Sequence, residues 1–274
     1  MADAIDINAY FRRIGYTGER TPSLETLRGI NLLHTEAISF ENLDPFLCKP
    51  VRLDAPSIEK KLVHDGRGGY CFEHNLLMFH VLKSLGFSVM SLAGRVLWTA
   101  PEGTNAPRTH MLLHVTLNGA PYIADPGFGS RTLTWPLWLE PNIEQTTPHG
   151  TYRLVPSGEE FVLQTRVDRS WRSMYSFDLR REDWHHYEVV NWYLSTHPDS
   201  PFRKRLVAAR SAPGCRYGLK NNELTFHDLN GRVEERILRT PAQLRDALEG
   251  TFRIRLPEWP DLDEVLKRLT AQGA

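Results

Sequence analysis

The sequence predicts an α+β fold built in three successive parts. Apolar residues recur at helical spacing over the first third, strand-like runs separated by turn residues fill the middle third, and the last third mixes both patterns. Shifts in composition place the predicted domains at 1–87, 88–190 and 191–274. A chain of 274 residues is long enough to bury a core of enzymatic size.

Helices are expected throughout the first third. Thr21-Pro22-Ser23 offers an N-cap followed by proline at a first helical position, and apolar residues then recur at helical spacing up to Ala37. Two further helices are expected over residues 57–63 and 71–85. Because the helix over 71–85 is apolar on more than one face, we expect it to be buried.

Strands are expected through the middle third. The apolar runs lie at 88–99, 111–117, 120–124, 152–155, 161–167 and 171–179. Asn118-Gly119 separates two of these runs and is a strong hairpin signal, because both residues tolerate a positive φ. Short strands at regular spacing indicate a barrel or a sandwich.

Composition excludes several classes of protein. Lys plus Arg equals Asp plus Glu at 33 each, so no basic excess points to nucleic acid. Apolar runs are too short for a membrane span, and residues 1–15 carry no secretory pattern. Three cysteines, at 48, 71 and 215, are too few for a disulfide framework. We therefore expect a cytoplasmic protein.

The segment RGGYCFEHN at 67–75 joins a glycine pair to the start of the expected buried helix. Cys71 there faces unpaired N–H groups and the positive end of the helix dipole, which both favour a thiolate. Burial opposes ionisation, so a charged partner is also needed. A buried structural cysteine is the alternative interpretation.

A thiolate nucleophile needs a base, and the base needs an orienting group. If Asn118-Gly119 forms a two-residue loop, residues pair when their numbers sum to 237. His110 and Asp125 then lie diagonally on one face of the hairpin, within side-chain reach. The same register also places His114 near Asp125, so register does not choose between the two histidines.

Two glycines follow the candidate acid in the sequence Asp125-Pro126-Gly127-Phe128-Gly129. Their N–H groups are candidates to face an oxyanion or a phosphate. Pro126 has no N–H, so strand pairing is expected to end beside it.

Three motifs occur in order along the chain: RGGYCFEHN, RTHMLL at 108–113 and DPGFG at 125–129. They are accompanied by ISFENLD at 38–44, TPHG at 147–150, NWY at 191–193 and STHP at 195–198. With these motifs the chain resembles the arylamine N-acetyltransferases. The resemblance covers the whole chain. It implies an N-terminal helical bundle carrying the nucleophile, a central β-barrel carrying the His and Asp, and a C-terminal α/β lid around a cysteine-peptidase-like triad.

The resemblance also implies a triad of Cys71, His110 and Asp125, which selects His110 over His114. It implies acetyl-CoA as donor, an aromatic amine or hydrazine as acceptor, a ping-pong mechanism through an acetyl-cysteine, and no metal. The implied binding residues are Phe40, Val96, Gly127, Phe128, Gly129 and Phe202, with the glycine turn receiving the coenzyme. The implied supporting pair beside the cysteine loop is Glu41 and Arg67. Ordinary core packing and an exposed ion pair are the alternatives for these side chains.

Three other interpretations remain open at this point. A papain-like or transglutaminase-like thiol enzyme uses the same triad logic. A metal site needs Cys71 and His74 with His64 or His80, although no second ligand pair is evident. A non-catalytic protein that binds aromatic compounds would retain the pocket and lose the reactive thiol. His74, one turn after Cys71, also competes as a partner for the sulfur.

Overall fold

The computed structural model describes residues 5–100, 106–229 and 231–271. The first four and last three residues, which the predicted domain limits include, lie outside this part. The α-helices are α1 (Ile7–Ile14), α2 (Leu24–Ala37), α3 (Leu43–Phe46), α4 (Ala55–Glu59), α5 (Cys71–Ser84), α6 (Trp184–Thr196), α7 (Pro201–Lys204), α8 (Pro241–Asp246) and α9 (Leu262–Ala271). Two π-helical turns, Lys60–His64 and Ala247–Thr251, extend α4 and α8.

The strands form two sheets. They are β1 (Phe40–Glu41), β2 (Ser88–Val96), β3 (Arg108–Leu117), β4 (Ala120–Ala124), β5 (Leu137–Trp138), β6 (Gln145–Thr147), β7 (Gly150–Ser157), β8 (Glu160–Val167), β9 (Ser170–Phe177), β10 (Val207–Ala212), β11 (Cys215–Lys220), β12 (Glu223–Asp228) and β13 (Val233–Ile237). The larger sheet has the order β5-β4-β3-β2-β9-β8-β7-β6 and the smaller one β1-β10-β11-β12-β13.

The helices of the first third lie close to the positions predicted for them. Ser23 caps α2 by accepting a hydrogen bond from the Thr26 N–H, so α2 begins at Leu24, and the expectation of Pro22 at a first helical position is wrong because Pro22 lies before the cap. The helix predicted over 57–63 is a five-residue α-helix followed by a π-helical turn. The helix beginning at Cys71 is confirmed, and most of α5 is buried as its apolar faces require.

The hairpin register is confirmed. Leu117 pairs with Ala120 and Leu113 with Ala124, so paired numbers sum to 237. Asn118 and Gly119 both have a positive φ, of 50° and 81°, which suits a tight hairpin turn. The ladder between β3 and β4 ends at Ala124, as expected before Pro126.

The larger sheet curls into a nearly closed barrel, which decides between the barrel and the sandwich. Its two edge strands, β5 and β6, are joined by a side chain. The Gln145 carboxamide accepts from the Trp138 N–H and donates to the Trp138 carbonyl, both at 2.8 Å. Gln145 therefore makes the bonds that a neighbouring strand would make with Trp138.

Three apolar clusters hold the parts together. The first spans α1, α2, α4, α5 and one face of β3, and it includes Cys71. The second packs the helices α8 and α9 on the smaller sheet, and the third fills the barrel. Strand β1, from the helical part, pairs with β10, so the helical part and the last third share a sheet. The three domain limits stay a prediction.

Within the described residues, every helix is too short or too polar to span a bilayer.

Candidate active site

Cys71 is the first residue of α5 and is 5% exposed. The Glu73 carboxylate accepts from the Tyr70 N–H at 3.0 Å and thereby caps the start of this helix. The glycine pair before it is needed for close approach, because a Cβ on Gly68 would lie 2.0 Å from the Ser39 carbonyl oxygen. The loop thus holds the sulfur at the helix N-terminus, where the dipole favours negative charge.

His110 bridges the sulfur and a carboxylate. Its Nε2 lies 2.7 Å from Asp125 Oδ2, and both side chains are buried. The Cys71 side chain is close enough to the imidazole to help raise its pKa, and the sulfur also lies 3.8 Å from the Thr109 carbonyl oxygen. Since Nε2 faces Asp125, the nitrogen left for the sulfur is Nδ1. The structure therefore brings together the three residues predicted as a triad, whose catalytic roles stay a prediction.

The charges in this group reinforce one another. Burial alone lowers the pKa of His110, but the Asp125 carboxylate and the Cys71 sulfur outweigh it and raise that pKa to about 10. Burial likewise favours a protonated Asp125, but the imidazolium and two N–H donors hold its pKa below the usual value. The arrangement therefore keeps the imidazole protonated beside the sulfur at neutral pH.

His114 occupies a different environment from His110. It pairs with Ile123 across the hairpin and is only partly buried. Burial lowers its pKa, and no carboxylate contributes to the shift. The structure thus separates the two histidines in agreement with the choice that the resemblance implies, whereas the hairpin register alone places both near Asp125.

Two aromatic rings enclose the imidazole. The ring centroids of Phe128 and Tyr175 lie 5.1 Å and 4.8 Å from that of His110. Burial, together with the nearby Asp125 carboxylate, raises the pKa of Tyr175 well above its ordinary value, so its hydroxyl stays neutral. The sequence analysis did not find Tyr175, because the pairing of β9 with β2 brings it to the site.

The turn from Gly127 to Gly129 binds the Asp125 carboxylate through a backbone N–H. The Gly127 N–H donates to Asp125 Oδ1 at 3.0 Å, and the Phe128 N–H donates to Thr132 Oγ1 at 3.1 Å. Both groups are therefore engaged inside the turn, and the expectation that the Gly127 N–H faces an oxyanion is wrong for this arrangement. A Cβ on Gly127 would lie 2.9 Å from Cys71 Cα, so the turn presses against the nucleophile.

The aromatic residues predicted to bind substrate lie on two sides of the site. The rings of Phe40 and Phe202 are 6.1 Å apart, and Phe40 packs beside Gly129. Phe128 lies against His110, and Val96 pairs with Tyr175 at the end of β2. Their role in binding stays a prediction. A cavity of about 580 Å³ lies elsewhere, beside Trp184 of α6.

Glu41 and Arg67 form a buried ion pair rather than an exposed one. The Arg67 guanidinium donates twice to Glu41 Oε1, at 2.7 and 2.9 Å, and also contacts Asp44 at 3.3 Å. Lys61 binds both Asp44 and Glu73, which links this cluster to the cap of α5. Asp44 lies within the segment ISFENLD, but the sequence analysis did not identify it.

His74 points away from Cys71. Its Nδ1 accepts from His34 Nε2 at 2.8 Å and its Nε2 donates to the Ser39 carbonyl at 3.1 Å. Burial lowers the pKa of His74 to about 4, so the ring is neutral. Both ring nitrogens are therefore engaged away from the sulfur. In the described part of the chain, no three His, Cys, Asp or Glu side chains are grouped for metal binding.

The sequence was then compared with known proteins. A family model described as N-acetyltransferase matches residues 23–259. The arylamine N-acetyltransferase of Escherichia coli is 42% identical over 90% of this chain and 88% of its own length. That of Mycobacterium tuberculosis is 40% identical over 97% of both chains. The chain belongs to the arylamine N-acetyltransferase family.

Solved structures of arylamine N-acetyltransferases agree with this assignment. The Mycobacterium marinum protein superposes with a TM-score of 0.93 at 39% identity, over 97% of this chain and all of the other. Its complex with coenzyme A superposes with a TM-score of 0.91 at 39% identity, over 97% of this chain and 99% of the other. The resemblance and the predicted fold class are thereby confirmed.

Family membership also decides the class of enzyme. The chain is an acetyltransferase, so the interpretations as a hydrolytic thiol enzyme and as a non-catalytic binding protein are wrong.

Proposed function

We propose that this enzyme transfers the acetyl group of acetyl-CoA to the nitrogen of aromatic amines and hydrazines through an acetyl-thioester on Cys71. The proposal is supported by the relatives, which are named for arylamines, and by the neighbour solved with coenzyme A. The observation that carries the mechanism is the buried contact of His110 with both Asp125 and the Cys71 sulfur.

The first half-reaction moves the acetyl group to the protein. The Cys71 thiolate attacks the carbonyl carbon of acetyl-CoA, and the C–S bond to coenzyme A breaks. The His110 imidazolium gives its proton to the departing coenzyme A sulfur, which leaves as a thiol. Because one thioester replaces another, the free-energy change of this step is small. Backbone N–H groups at the start of α5 would stabilise the tetrahedral oxyanion.

The second half-reaction releases the product. Acetylation removes the negative charge from the sulfur, so the pKa of His110 falls and the ring becomes a neutral base. The aromatic amine is uncharged near neutral pH, and its nitrogen attacks the thioester carbonyl. His110 takes the proton from that nitrogen as the C–S bond to Cys71 breaks, which restores the thiolate and imidazolium. Asp125 orients the ring and stabilises its charge in both halves.

The binding roles follow the same proposal. Phe40, Phe128 and Phe202 would offer an apolar wall to the aromatic ring, and Val96 would complete it. The turn from Gly127 to Gly129 lies against Cys71, so a pantetheine arm bound along it would end near the sulfur.

Mass spectrometry tests the first half-reaction directly. Mixing the protein with acetyl-CoA and no amine should add one acetyl group, which peptide mapping should place on Cys71. Addition of an arylamine should remove it with formation of the amide. Kinetics with both substrates varied should give parallel double-reciprocal lines, as a ping-pong mechanism requires.

Cysteine variants provide the controls. Cys71→Ser should abolish both the adduct and turnover, while Cys48→Ser and Cys215→Ser should retain them. Cys215 is a matched control because it is also buried, at 8% exposed. Full turnover by Cys71→Ser, or an adduct on another residue, would refute the acetyl-cysteine intermediate.

A further inference from the structure

The side chain of Asn75 connects the three segments that carry the proposed triad. Asn75 lies one turn after Cys71 on α5 and is fully buried. Its Nδ2 lies 3.1 Å from the Cys71 carbonyl oxygen, 2.8 Å from that of Met111 and 3.0 Å from Asp125 Oδ1. Met111 follows His110 on β3, so a single amide contacts the helix, the strand and the carboxylate.

The orientation of this amide follows from its partners. All three neighbours of Nδ2 are oxygens that only accept, so the nitrogen must face them and the orientation is unambiguous. The Asn75 Oδ1, in turn, is buried without a hydrogen-bond partner among the described residues. Burying an unpartnered acceptor costs free energy, so the position favours the donor over the acceptor.

The contact also fixes the rotation of the Asp125 carboxylate. Its Oδ1 accepts from Asn75 Nδ2 and from the Gly127 N–H, while Oδ2 faces His110. The side-chain hydrogen bond from Asn75 helps to hold the Asp125 pKa below its ordinary value, after the larger contribution of His110. With Oδ1 held from two sides, Oδ2 is directed at the imidazole.

The space around the amide is filled. A Cβ placed on Gly127 would lie 2.5 Å from Asn75 Nδ2. The glycine turn therefore packs directly on the amide and holds it against its three acceptors. Side-chain displacement of Asn75 would require the turn and α5 to separate.

We propose that Asn75 is a positioning residue for acetyl transfer: its amide holds Asp125, the His110 strand and the Cys71 helix in the geometry that the reaction needs. The inference rests on the proposed function, because it assumes the triad described above. A neutral donor suits this place because it binds Oδ1 without neutralising the charge that His110 requires. A cation would compete with the imidazolium, and a carboxylate would repel Asp125.

The matched control for Asn75 is Asn31. Asn31 is also fully buried and its Oδ1 is also without a partner among the described residues. Its Nδ2 donates to the Leu133 carbonyl, on the segment after Asp125, and has no contact with the carboxylate. Substitutions at Asn31 therefore report the cost of losing a buried amide that bonds no triad side chain, since Leu133 reaches Asp125 only through the main-chain carbonyl.

The experiment compares Asn75→Ala and Asn75→Asp with Asn31→Ala and Asn31→Asp. Single-turnover acetylation of Cys71 by acetyl-CoA is followed from pH 6 to 8, with thermal unfolding measured in parallel. Asn75→Ala should slow acetylation at saturating acetyl-CoA by about 10- to 100-fold, the range expected for a misplaced reacting group. The acetyl-CoA concentration at half-saturation should change little, because Asn75 is fully buried and its amide is bound to protein acceptors.

The pH profile separates positioning from general destabilisation. In Asn75→Asp the introduced carboxyl can donate to Asp125 only when protonated, so the variant should recover rate relative to wild type as the pH falls. The Asn31 variants should lose thermal stability but acetylate Cys71 within about twofold of the wild-type rate. If Asn75→Ala does not fold, Asn75→Ser, which retains one hydroxyl donor, takes its place.

Two results would overturn the inference. One is an Asn75 variant whose rate loss only matches that of the Asn31 variant of equal stability. The other is a pH profile of Asn75→Asp parallel to that of wild type. Failure of the proposed function looks different, because the wild-type protein itself would then carry no acetyl group on Cys71.

Discussion

Two buried histidines, His110 on β3 and His74 on α5, differ in charge at neutral pH. His110 faces the Asp125 carboxylate, and its pKa is raised to about 10. His74 faces His34 and a backbone carbonyl, and its pKa is lowered to about 4. Both imidazoles are almost inaccessible to solvent, so burial cannot explain the difference.

The comparison shows that the partner decides the charge. Burial opposes the charged imidazole in both places, but only His110 has a carboxylate whose attraction exceeds that penalty. The neutral pair instead forms a directed chain, in which the Tyr10 hydroxyl donates to His34, His34 to His74, and His74 to Ser39. In the proposed mechanism His110 exchanges protons with the reacting groups, whereas the neutral His34–His74 pair links α1, α2 and α5 without charge.

The largest loss of activity is expected for Asp125→Asn, which removes the difference in charge between His110 and His74. The amide cannot stabilise the imidazolium and favours the wrong ring tautomer, so acetyl transfer should fall by about 10³- to 10⁴-fold. The pKa of His110 should fall toward that of a buried neutral ring. Steady-state kinetics measure the first effect, and iodoacetamide labelling of Cys71 from pH 6 to 8 measures the second.

Wild-type labelling serves as the reference for this variant. It should change little from pH 6 to 8, because the imidazolium persists through that window. A variant that keeps both near-normal turnover and a flat labelling profile would remove Asp125 from the mechanism.

An effect of intermediate size is expected on the pH dependence of stability, through the neutral His34–His74 pair. The unfolded chain binds a proton at His74 below about pH 6.5, whereas the folded chain resists it until about pH 4. His74 therefore adds stability that is complete above pH 6.5 and is lost as the pH falls, by roughly 3 kcal/mol over the whole range. The free energy of unfolding, measured with urea from pH 7 to 5, should decrease accordingly.

The variant His74→Gln tests whether the titration of His74 causes this decrease in stability. It keeps an acceptor and a donor but does not titrate, so the decrease in stability from pH 7 to 5 should become shallower. Catalysis should keep its pH profile, since His110 is unchanged. An equally steep decrease in the variant would show that His74 is already protonated in the folded protein or contributes nothing.

The smallest effect is expected at His114, the histidine that the sequence register could not separate from His110. His114→Leu leaves the Asp125 contact intact and changes a partly buried strand position. Turnover should stay within about twofold and stability within about 0.5 kcal/mol, as for ordinary surface substitutions. A large loss of turnover would reopen the choice between the two histidines.

Local patterns predicted the elements near the site well. Asn118-Gly119 determined the hairpin register because a two-residue turn leaves no freedom in the pairing. That register alone placed His110 near Asp125. The start of α5 at Cys71 was also predictable, because a glycine pair and a long apolar run mark it in the sequence.

Contacts between distant segments were not predictable in the same way. Tyr175 and His34 reach their partners through sheet pairing and helix packing, and neither neighbourhood leaves a local pattern. Asn75 did leave a signal, since it lies four residues after Cys71 and so on the same helix face. What the sequence lacked was the identity of its three acceptors, one of which is 50 residues away.

The hydrogen bonds between Gln145 and Trp138, which join the edge strands β5 and β6, affect the tendency of the protein to aggregate at high concentration. Unpaired strand edges invite pairing between molecules, which is a common route to aggregation. Here the edges of β5 and β6 face each other, and one carboxamide occupies both backbone groups of Trp138. Gln145→Ala would leave the Trp138 N–H without this partner and the Trp138 carbonyl with the Glu140 N–H alone, without touching the proposed triad. The expected phenotype is therefore an enzyme with normal specific activity that is lost from solution faster on storage.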